Sequence, residues 1–287
     1  MDPDPADADK YFSTFTNCIN PFPLLTSTIS CSLLLLSCHS SPDEKVVKLI
    51  SEKKDSTRSA PVITVVAKQK KKIYLTFDDG PNKGTGNVMN ILKEEDVPAT
   101  MFIIGEQVFG SRAQRELWDS LQTCNKIELA NHSYTHAHNH FEFFYSNPLA
   151  VVKDFEKCKD TLQLSNSMAR TPGRNVWRLN NLSATDLEKT KTAADSVQQA
   201  GFNLIGWDVE WHFEQLALVE SADIMLQRID SMLLNNKTRN KDHIILLSHD
   251  QTFADAKDSS SLRYLIQQLK KRDDYELMQV STYPGVN

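Results

Sequence analysis

The chain has 287 residues, of which 40% are hydrophobic and 24% are charged, and its formal net charge is -5 at pH 7. These proportions are ordinary for a soluble globular protein with one large core or two modest ones. The net negative charge argues against nucleic acid and against an anionic membrane surface as partners. Composition alone indicates no substrate.

The N-terminal part differs in composition from the rest of the chain. Residues 1–10 are acidic, and residues 24–38 form an apolar stretch that ends at Cys38 and is followed by a polar segment. This stretch is short for a membrane span and suits the hydrophobic region of a signal peptide, and it resembles a bacterial lipoprotein signal. The usual basic residues before it are missing, and Leu36 stands where a small residue is common. A buried hydrophobic helix of the fold is the alternative.

We therefore predict three segments: a leader with a lipoprotein signal over residues 1–38, a tether over residues 39–70, and one folded domain over residues 71–287. The tether is charged and contains prolines, apart from a β-branched run at residues 62–66 that suggests a strand. A cleaved and lipidated Cys38 would make the protein an exported periplasmic or cell-envelope lipoprotein. Only that lipid would contact a membrane.

Beyond residue 70, apolar runs alternate with amphipathic segments. Strands are predicted at residues 73–77, 99–104, 127–130, 202–207, 243–247 and 275–280. Helices are predicted at residues 86–95, 112–121, 149–164, 184–200, 221–234 and 259–271. This alternation predicts an α/β fold with a parallel sheet, either open or closed into a barrel.

Asp78 and Asp79 directly follow the first of these strands. In α/β folds, ligands bind just past the C-terminal ends of the strands. Two adjacent carboxylates at such a place are unfavourable unless a metal ion or a partner group offsets their charge. Since neighbours on a strand point to opposite sides, the two aspartates are expected to have different roles. A turn with solvated acids is the alternative.

Four of the eight histidines lie within nine residues, directly after the third predicted strand. His132 and His136 are four residues apart, and on a helical turn this spacing places both imidazoles within reach of one metal ion. His136 and His140 have the same spacing and form a competing pair. The alternative without a metal is a histidine-rich surface loop.

Four further residues are candidates because of their positions next to strand ends or turns. His249 follows the strand at residues 243–247, although a lone histidine there is more often structural. Arg170 precedes a Thr-Pro-Gly turn, and most arginines are solvated. Asp208 and Glu210 follow the strand at residues 202–207, where they could line a cleft or belong to an ordinary strand edge.

Taken in chain order, these segments resemble the five motifs of the polysaccharide deacetylases, the NodB-homology proteins of carbohydrate esterase family four. The matching segments are residues 76–81 (TFDDGP), 132–136 (HSYTH), 170–172 (RTP), 207–211 (WDVEW) and 247–249 (LSH). The resemblance covers residues 73–287, and its first two motifs are the most specific. It implies a distorted (β/α) barrel of about seven repeats. It also implies a hydrolase that removes N-acetyl groups from an amino-sugar glycan such as peptidoglycan or chitin.

The resemblance also implies a role for each candidate residue. Three of them would bind a divalent metal ion: Asp79, His132 and His136. Asp78 would be the general base, held in place by Arg170, and His249 would be the general acid. Zinc suits two imidazoles and a carboxylate, while cobalt, nickel and manganese would also fit. The partner implied is an acetylated glycan substrate.

Two departures from the family pattern concern the acid and the substrate side of the site. The fourth motif usually ends in Asp-Trp, whose aspartate raises the pKa of the acid histidine; here either Asp208 or Glu210 could take that role. Gly173 stands where an aromatic residue is common, and Arg174 follows it, which predicts a differently shaped and more polar subsite. Two other functions stay open: an O-acetyl esterase on xylan or exopolysaccharide, and a non-catalytic glycan-binding protein on the same fold.

Overall fold

The structure, a computed structural model, describes residues 69–286. The predicted leader (1–38), the strand-like run (62–66) and the tether up to residue 68 lie outside the described residues. The boundaries of these segments therefore stay predictions. None of the helices in the described part of the chain is long and apolar enough to cross a membrane.

Strands and helices alternate along most of the described chain. The strands are β1 (Lys71–Gly80), β2 (Ala99–Ile103), β3 (Ile127–Asn131), β4 (Met168–Ala169), β5 (Val176–Leu179), β6 (Leu182–Thr185), β7 (Asn203–Leu204), β8 (Val209–Glu210), β9 (Phe213–Glu214), β10 (Ala217–Leu218), β11 (His243–His249) and β12 (Tyr275–Met278). The α-helices are α1 (Thr85–Glu94), α2 (Arg112–Gln122), α3 (Phe141–Tyr145), α4 (Pro148–Leu162), α5 (Lys191–Gln199), α6 (Ala222–Leu234) and α7 (Ala256–Lys270).

The main sheet is built on parallel strands in the order β7-β4-β3-β2-β1-β11-β8. Strand β12 runs parallel to the first half of β1, and the antiparallel pair β5 and β6 extends the edge at β7. The sheet curls, but over residues 69–286 its end strands β6 and β8 do not pair with each other. The predicted distorted (β/α) barrel is confirmed, in the form of a curled and incomplete barrel.

The side chains of β1 alternate between two cores. Ile73 and Phe77 belong to a cluster shared with the surrounding helices, whereas Tyr74 belongs to a second cluster drawn from strands and loops. Because successive strand residues face opposite sides, Thr76 and Asp78 share the inner face with Tyr74, and both are buried. Burial of the apolar residues on both faces explains why β1 reads as a continuous apolar run.

The strand register collects the candidate residues at one edge of the sheet. Asp78 at the end of β1 lies opposite His249 at the end of β11. Asn131 at the end of β3 lies opposite Ala169, which directly precedes Arg170. Since these strands are parallel, the residues that follow them meet at the same C-terminal edge.

The predicted helix over residues 184–200 is wrong in its first part. Its first two residues belong to β6, which pairs with β5 across a two-residue turn of Asn180 and Asn181. Helix α5 begins only at Lys191. Two consecutive asparagines favour a turn because their side chains can hydrogen-bond to the nearby backbone. The predicted strand at residues 202–207 is also shorter, since only β7 pairs in the sheet.

Replacing Leu246 with alanine tests the assigned core. This side chain is 1% exposed in the central strand β11, whereas Leu234 at the end of α6 is 69% exposed. We expect Leu246→Ala to lower the free energy of unfolding by about 2–5 kcal/mol, because it removes buried apolar atoms and leaves a cavity. The control Leu234→Ala should change it by less than about 1 kcal/mol. Urea denaturation measures both values, and equal destabilisation would contradict the assignment.

Candidate metal centre and active site

The two adjacent aspartates leave β1 in different directions. Asp78 continues the inner face of the strand and is 2% exposed. Asp79 has a positive φ of 74°, and the pairing of β1 with β2 shifts register between Asp78 and Gly80. An irregularity of this kind re-aims one side chain at the end of a strand. The two carboxylates therefore reach different neighbours.

Asp79, His132 and His136 bring their ligating atoms together. The Nε2 atoms of His132 and His136 lie 3.4 Å and 3.3 Å from Oδ1 of Asp79. All the ligating atoms are within 4.8 Å of one another. Oδ1 of Asp79 is buried and accepts no regular hydrogen bond from any described residue. A buried carboxylate oxygen without a donor, facing two imidazole nitrogens, fits the donor set of a divalent cation.

His132 is held so that one ring nitrogen faces this cluster. Its Nδ1 lies 2.9 Å from the carbonyl oxygen of Arg170, and only a protonated Nδ1 can donate there. This hydrogen bond assigns the tautomer in which Nε2 carries its lone pair towards Asp79. The backbone N–H of His132 donates to the carbonyl of Ile103 at 2.9 Å, which ties the residue to the end of β2.

His136 is presented by a left-handed turn. The residues of the turn, His136–Asn139, all have positive φ, between 45° and 62°. Such a run is unfavourable for residues that carry side chains, so the surroundings must hold it. Asp154 on α4 anchors the residues just before it, because its Oδ2 accepts the backbone N–H groups of Tyr134 and Thr135, each at 3.1 Å. The turn directs the imidazole of His136 back towards β1.

The other two histidines of this segment lie outside the cluster. His138 is exposed, and its Nε2 lies 3.1 Å from the carboxylate of Glu106. His140 is also exposed. Within residues 69–286, the one group of three side chains arranged to hold a metal ion pairs His136 with His132 rather than with His140.

The charges of the cluster shift its pKa values. Burial raises the pKa of Asp79, but His132 and His136 outweigh this effect and bring that pKa to about 2. Burial lowers the pKa of His132, while the charges of Asp78 and Asp79 outweigh it and raise that pKa. Burial, together with His132, lowers the pKa of His136. Asp79 is therefore a carboxylate near neutral pH, as an anionic metal ligand must be.

Arg170 binds Asp78 from inside the barrel. Its N–H groups donate to four oxygens: Oδ1 of Asp78 and Oγ1 of Thr76 at 2.8 Å each, and the carbonyl oxygens of Ile205 and Gly206 at 3.0 Å each. The guanidinium is fully buried and lies 4.1 Å from the ring centre of Phe102. Burial lowers the pKa of Arg170, and the charge of Asp78 opposes this shift. This pair fixes the orientation of Asp78, because removing either partner would leave an uncompensated buried charge.

One cleft of about 250 Å³ joins these groups to His249. Its polar residues include Asp78, Asp79, His132, His136, Glu210 and His249. The imidazole of His249 packs against Phe213 of the β9–β10 hairpin, with ring centres 4.9 Å apart. Its Nδ1 is buried and has no hydrogen-bond partner among the described residues. The cleft thus combines a candidate metal site, a carboxylate outside that site and a histidine available for proton transfer.

The sequence model of the polysaccharide deacetylase family matches residues 66–203. The chain contains a domain of this family. A peptidoglycan-N-acetylglucosamine deacetylase of Bacillus cereus is 28% identical over 217 residues, which cover 72% of this chain and 70% of that protein. This similarity extends the relationship beyond the residues that the family model matches.

Solved structures show the same fold as this deacetylase domain. A family 4 carbohydrate esterase of Streptococcus mutans superposes with a TM-score of 0.55 at 21% identity, covering 73% of this chain and 86% of that one. The Xyl-CE4 domain of a multidomain xylanase from the hindgut metagenome of Trinervitermes trinervoides superposes with a TM-score of 0.51 at 24% identity, covering 74% and 89%. Both likenesses concern the fold.

Asp208 and Glu210 occupy different surroundings in the deacetylase domain. The carboxylate of Asp208 accepts two backbone N–H groups, from Arg239 at 2.7 Å and from Ile245 at 2.8 Å. Ile245 lies four residues before His249 on β11, so this carboxylate is tied to the strand well before the cleft. Glu210 instead lines the cleft together with His249. Of these two carboxylates, Glu210 lines the cleft and Asp208 does not, while the action of either one on His249 stays a prediction.

Asp250 supports the site but was not predicted. It is buried, and its carboxylate accepts hydrogen bonds from Nδ2 of Asn82 and Oγ1 of Thr85. Nδ2 of Asn82 also lies 3.2 Å from the carbonyl oxygen of Asp79. Asp250 thus ties the end of β11 to the loop that follows Asp79. The sequence signal that could have identified Asp250 is an acidic residue directly after His249 at the end of a strand.

Asp208→Asn tests the structural role of this buried acid. Burial raises the pKa of Asp208 to about 6, although the N–H groups of Ile245 and Arg239 oppose the shift. An aspartate in an unfolded chain has a pKa of about 3.9. Between these two pKa values, Asp208 is protonated in the folded state and ionised in the unfolded state. The stability that Asp208 contributes at low pH is therefore lost as the pH rises from about 4 to about 6.

We expect the loss of the free energy of unfolding across that pH window to be smaller in Asp208→Asn than in the unmodified protein, by on the order of 2 kcal/mol. The exposed Asp119 supplies the control, since Asp119→Asn should leave the decline as it is in the unmodified protein. Urea denaturation at several pH values between about 4 and 7 measures all three proteins. An unchanged slope in Asp208→Asn would contradict this account.

Proposed function

We propose that this domain is a metal-dependent hydrolase that removes N-acetyl groups from an amino-sugar glycan. The observation that carries the proposal is that three kinds of group line one cleft. The Asp79–His132–His136 cluster can hold a cation, Asp78 lies beside it without belonging to it, and His249 ends the neighbouring strand. Family membership supports the same chemistry.

The cluster is proposed to bind one divalent metal ion through the Oδ1 atom of Asp79 and the Nε2 atoms of His132 and His136. Three protein ligands leave coordination positions open, as in catalytic rather than structural sites. Zinc is the first choice for two imidazoles and a carboxylate, and cobalt, nickel or manganese suit the same ligands. Bound there, such an ion would polarise an acetyl carbonyl and lower the pKa of a water molecule.

Asp78 is proposed as the general base. Its Oδ1 is bound to Arg170 at 2.8 Å, while its Oδ2 lies 3.7 Å from Nε2 of His132 and so faces the cation site. One carboxylate oxygen is therefore occupied by the arginine, and the other is free to accept the proton of a water molecule that would attack the acetyl carbonyl carbon. Holding a base in one rotamer beside the reacting atoms is an efficient way to raise a rate.

His249 is proposed as the general acid that protonates the amine leaving group. An amine leaves poorly without a proton, and histidine is the side chain best suited to supply one near neutral pH. Packing against Phe213 limits the rotation of the imidazole. Glu210 lines the same cleft and is the carboxylate proposed to act together with His249.

The protein is further proposed to be exported. Two observations support this: the apolar stretch that ends at Cys38, and the name of the Bacillus cereus relative, which is a deacetylase of peptidoglycan. The proposal includes the segment boundaries given by the sequence, a leader (1–38), a tether (39–70) and a catalytic domain (71–287). An N-terminal lipid on Cys38 would then keep the domain close to the envelope glycan.

Acetate release from defined glycans tests the proposed function. We expect the purified protein with added zinc to release acetate from N-acetylglucosamine oligomers, and to lose this activity when a chelator removes the metal. Asp78→Asn should lower kcat by at least about 100-fold because the water loses its proton acceptor, while zinc binding persists. His140→Ala, outside the cluster, is the matched control and should keep full activity.

Three outcomes decide between the candidate functions. Activity that survives both the chelator and Asp78→Asn would contradict the mechanism. Acetate release from O-acetylated xylan alone would favour an O-acetyl esterase. Glycan binding without acetate release under any divalent metal would favour a non-catalytic binding protein.

A further inference from the structure

Phe141 occupies the wall of the cleft beside the candidate metal site. It is the first residue of α3 and directly follows the left-handed turn that presents His136. Its ring meets the imidazole of His136 edge to face, with ring centres 5.5 Å apart and planes at 85°. The side chain is only partly buried, and it lines the same cleft as Asp78 and His249. An apolar ring is thus open to whatever enters next to the catalytic groups.

The ring of Phe141 also covers Gly173. A Cβ atom at Gly173 would lie only 3.1–3.3 Å from three atoms at the tip of the ring. Gly173 has a φ of 62°, a conformation that side-chain-bearing residues rarely adopt. The glycine therefore leaves room that Phe141 fills. The aromatic ring on this side of the cleft therefore comes from α3 rather than from position 173.

Arg174 does not make this part of the cleft polar. One of its Nη atoms donates to the carbonyl of Gly173 at 3.1 Å, and its Nε is buried. It is absent from the residues that line the cleft, whereas Phe141 and Trp207 are both present. The side chain of Asn175 fixes the backbone of Trp207 in place. Its Oδ1 accepts the N–H of Trp207 at 3.1 Å, and its Nδ2 donates to the carbonyl oxygen of Trp207 at 2.9 Å. Arg174 therefore does not supply the predicted more polar subsite, and the rings of Phe141 and Trp207 line the cleft there.

We propose that Phe141 is the platform on which a pyranose ring of the substrate stacks, and that it determines specificity for sugar substrates in this enzyme. The inference rests on the proposed function. A pyranose ring with equatorial substituents exposes a face of C–H groups, and an aromatic ring beside the reaction centre removes that face from water. The ring would hold the sugar while its acetyl group reaches the cluster next to His136.

A purely structural role is the competing explanation, because Phe141 also packs against His136. The two roles make different predictions. A stacking platform affects the affinity for a sugar and leaves metal affinity unchanged. A support for His136 affects metal affinity first. A test must therefore measure sugar binding and zinc binding separately.

Calorimetric titration of tetra-N-acetylchitotetraose into the zinc-loaded Asp78→Asn protein measures sugar binding without turnover. In that background we expect Phe141→Ala and Phe141→Leu to raise the Kd by about tenfold, since leucine fills the space without offering a flat ring. Phe141→Trp should keep the Kd within about threefold. The matched control is Phe143→Ala on the same helix, 81% exposed and outside the cleft, and it should bind normally.

A zinc titration of the same variants completes the test. We expect all of them to bind zinc as the parent does. A normal sugar Kd in Phe141→Leu, or weakened zinc binding that accounts for the loss of sugar affinity, would overturn the proposal. No binding of the tetramer to the parent variant would also overturn it. If the proposed function is wrong, the unmodified protein releases no acetate in the assay described above. That result is distinct from a failure of the Phe141 proposal, which the two titrations detect.

Discussion

The rest of the site depends on how the protein stabilises two adjacent carboxylates at the buried end of β1. Like charges this close oppose each other, and burial raises the free energy of both. Asp78 is compensated by Arg170, whose remaining N–H groups are satisfied by neighbouring oxygens. Asp79 is compensated by the imidazoles of His132 and His136 and, in our proposal, by a cation. The same interactions that make the buried charges tolerable also give the two carboxylates the different surroundings on which their proposed roles, base and ligand, depend.

The fold makes this division possible by placing each compensating group at the end of a different strand. Strand alternation directs Asp78 inward to Arg170, and the register shift at Asp79 turns the next carboxylate to the histidines. Arg170 links the two, because its side chain binds Asp78 while its backbone carbonyl orients His132. Asp154 and Asp250 hold the loops on either side. The geometry of the cleft is therefore a property of the whole C-terminal edge of the sheet.

Elements with a local sequence signal could be predicted, whereas features that depend on tertiary pairing could not. The apolar run of β1 and the helical spacing in α1 identify elements by themselves. The first part of the predicted helix at 184–200 instead joined a hairpin. Which of Asp208 and Glu210 lines the cleft depends on the register of β8 against β11, which no periodicity encodes. The role proposed for Phe141 could not be predicted because it depends on contact with a distant glycine, 32 positions further along the sequence.

A zinc titration of the metal-free protein tests the central claim most directly, when it compares His136→Ala with His140→Ala. The two positions share the spacing that made them competitors, but only His136 lies with His132 and Asp79. The account predicts one zinc ion per chain in the unmodified protein and in His140→Ala, with affinity at least about 100-fold weaker in His136→Ala. Weakened binding in His140→Ala, with normal binding in His136→Ala, would contradict it.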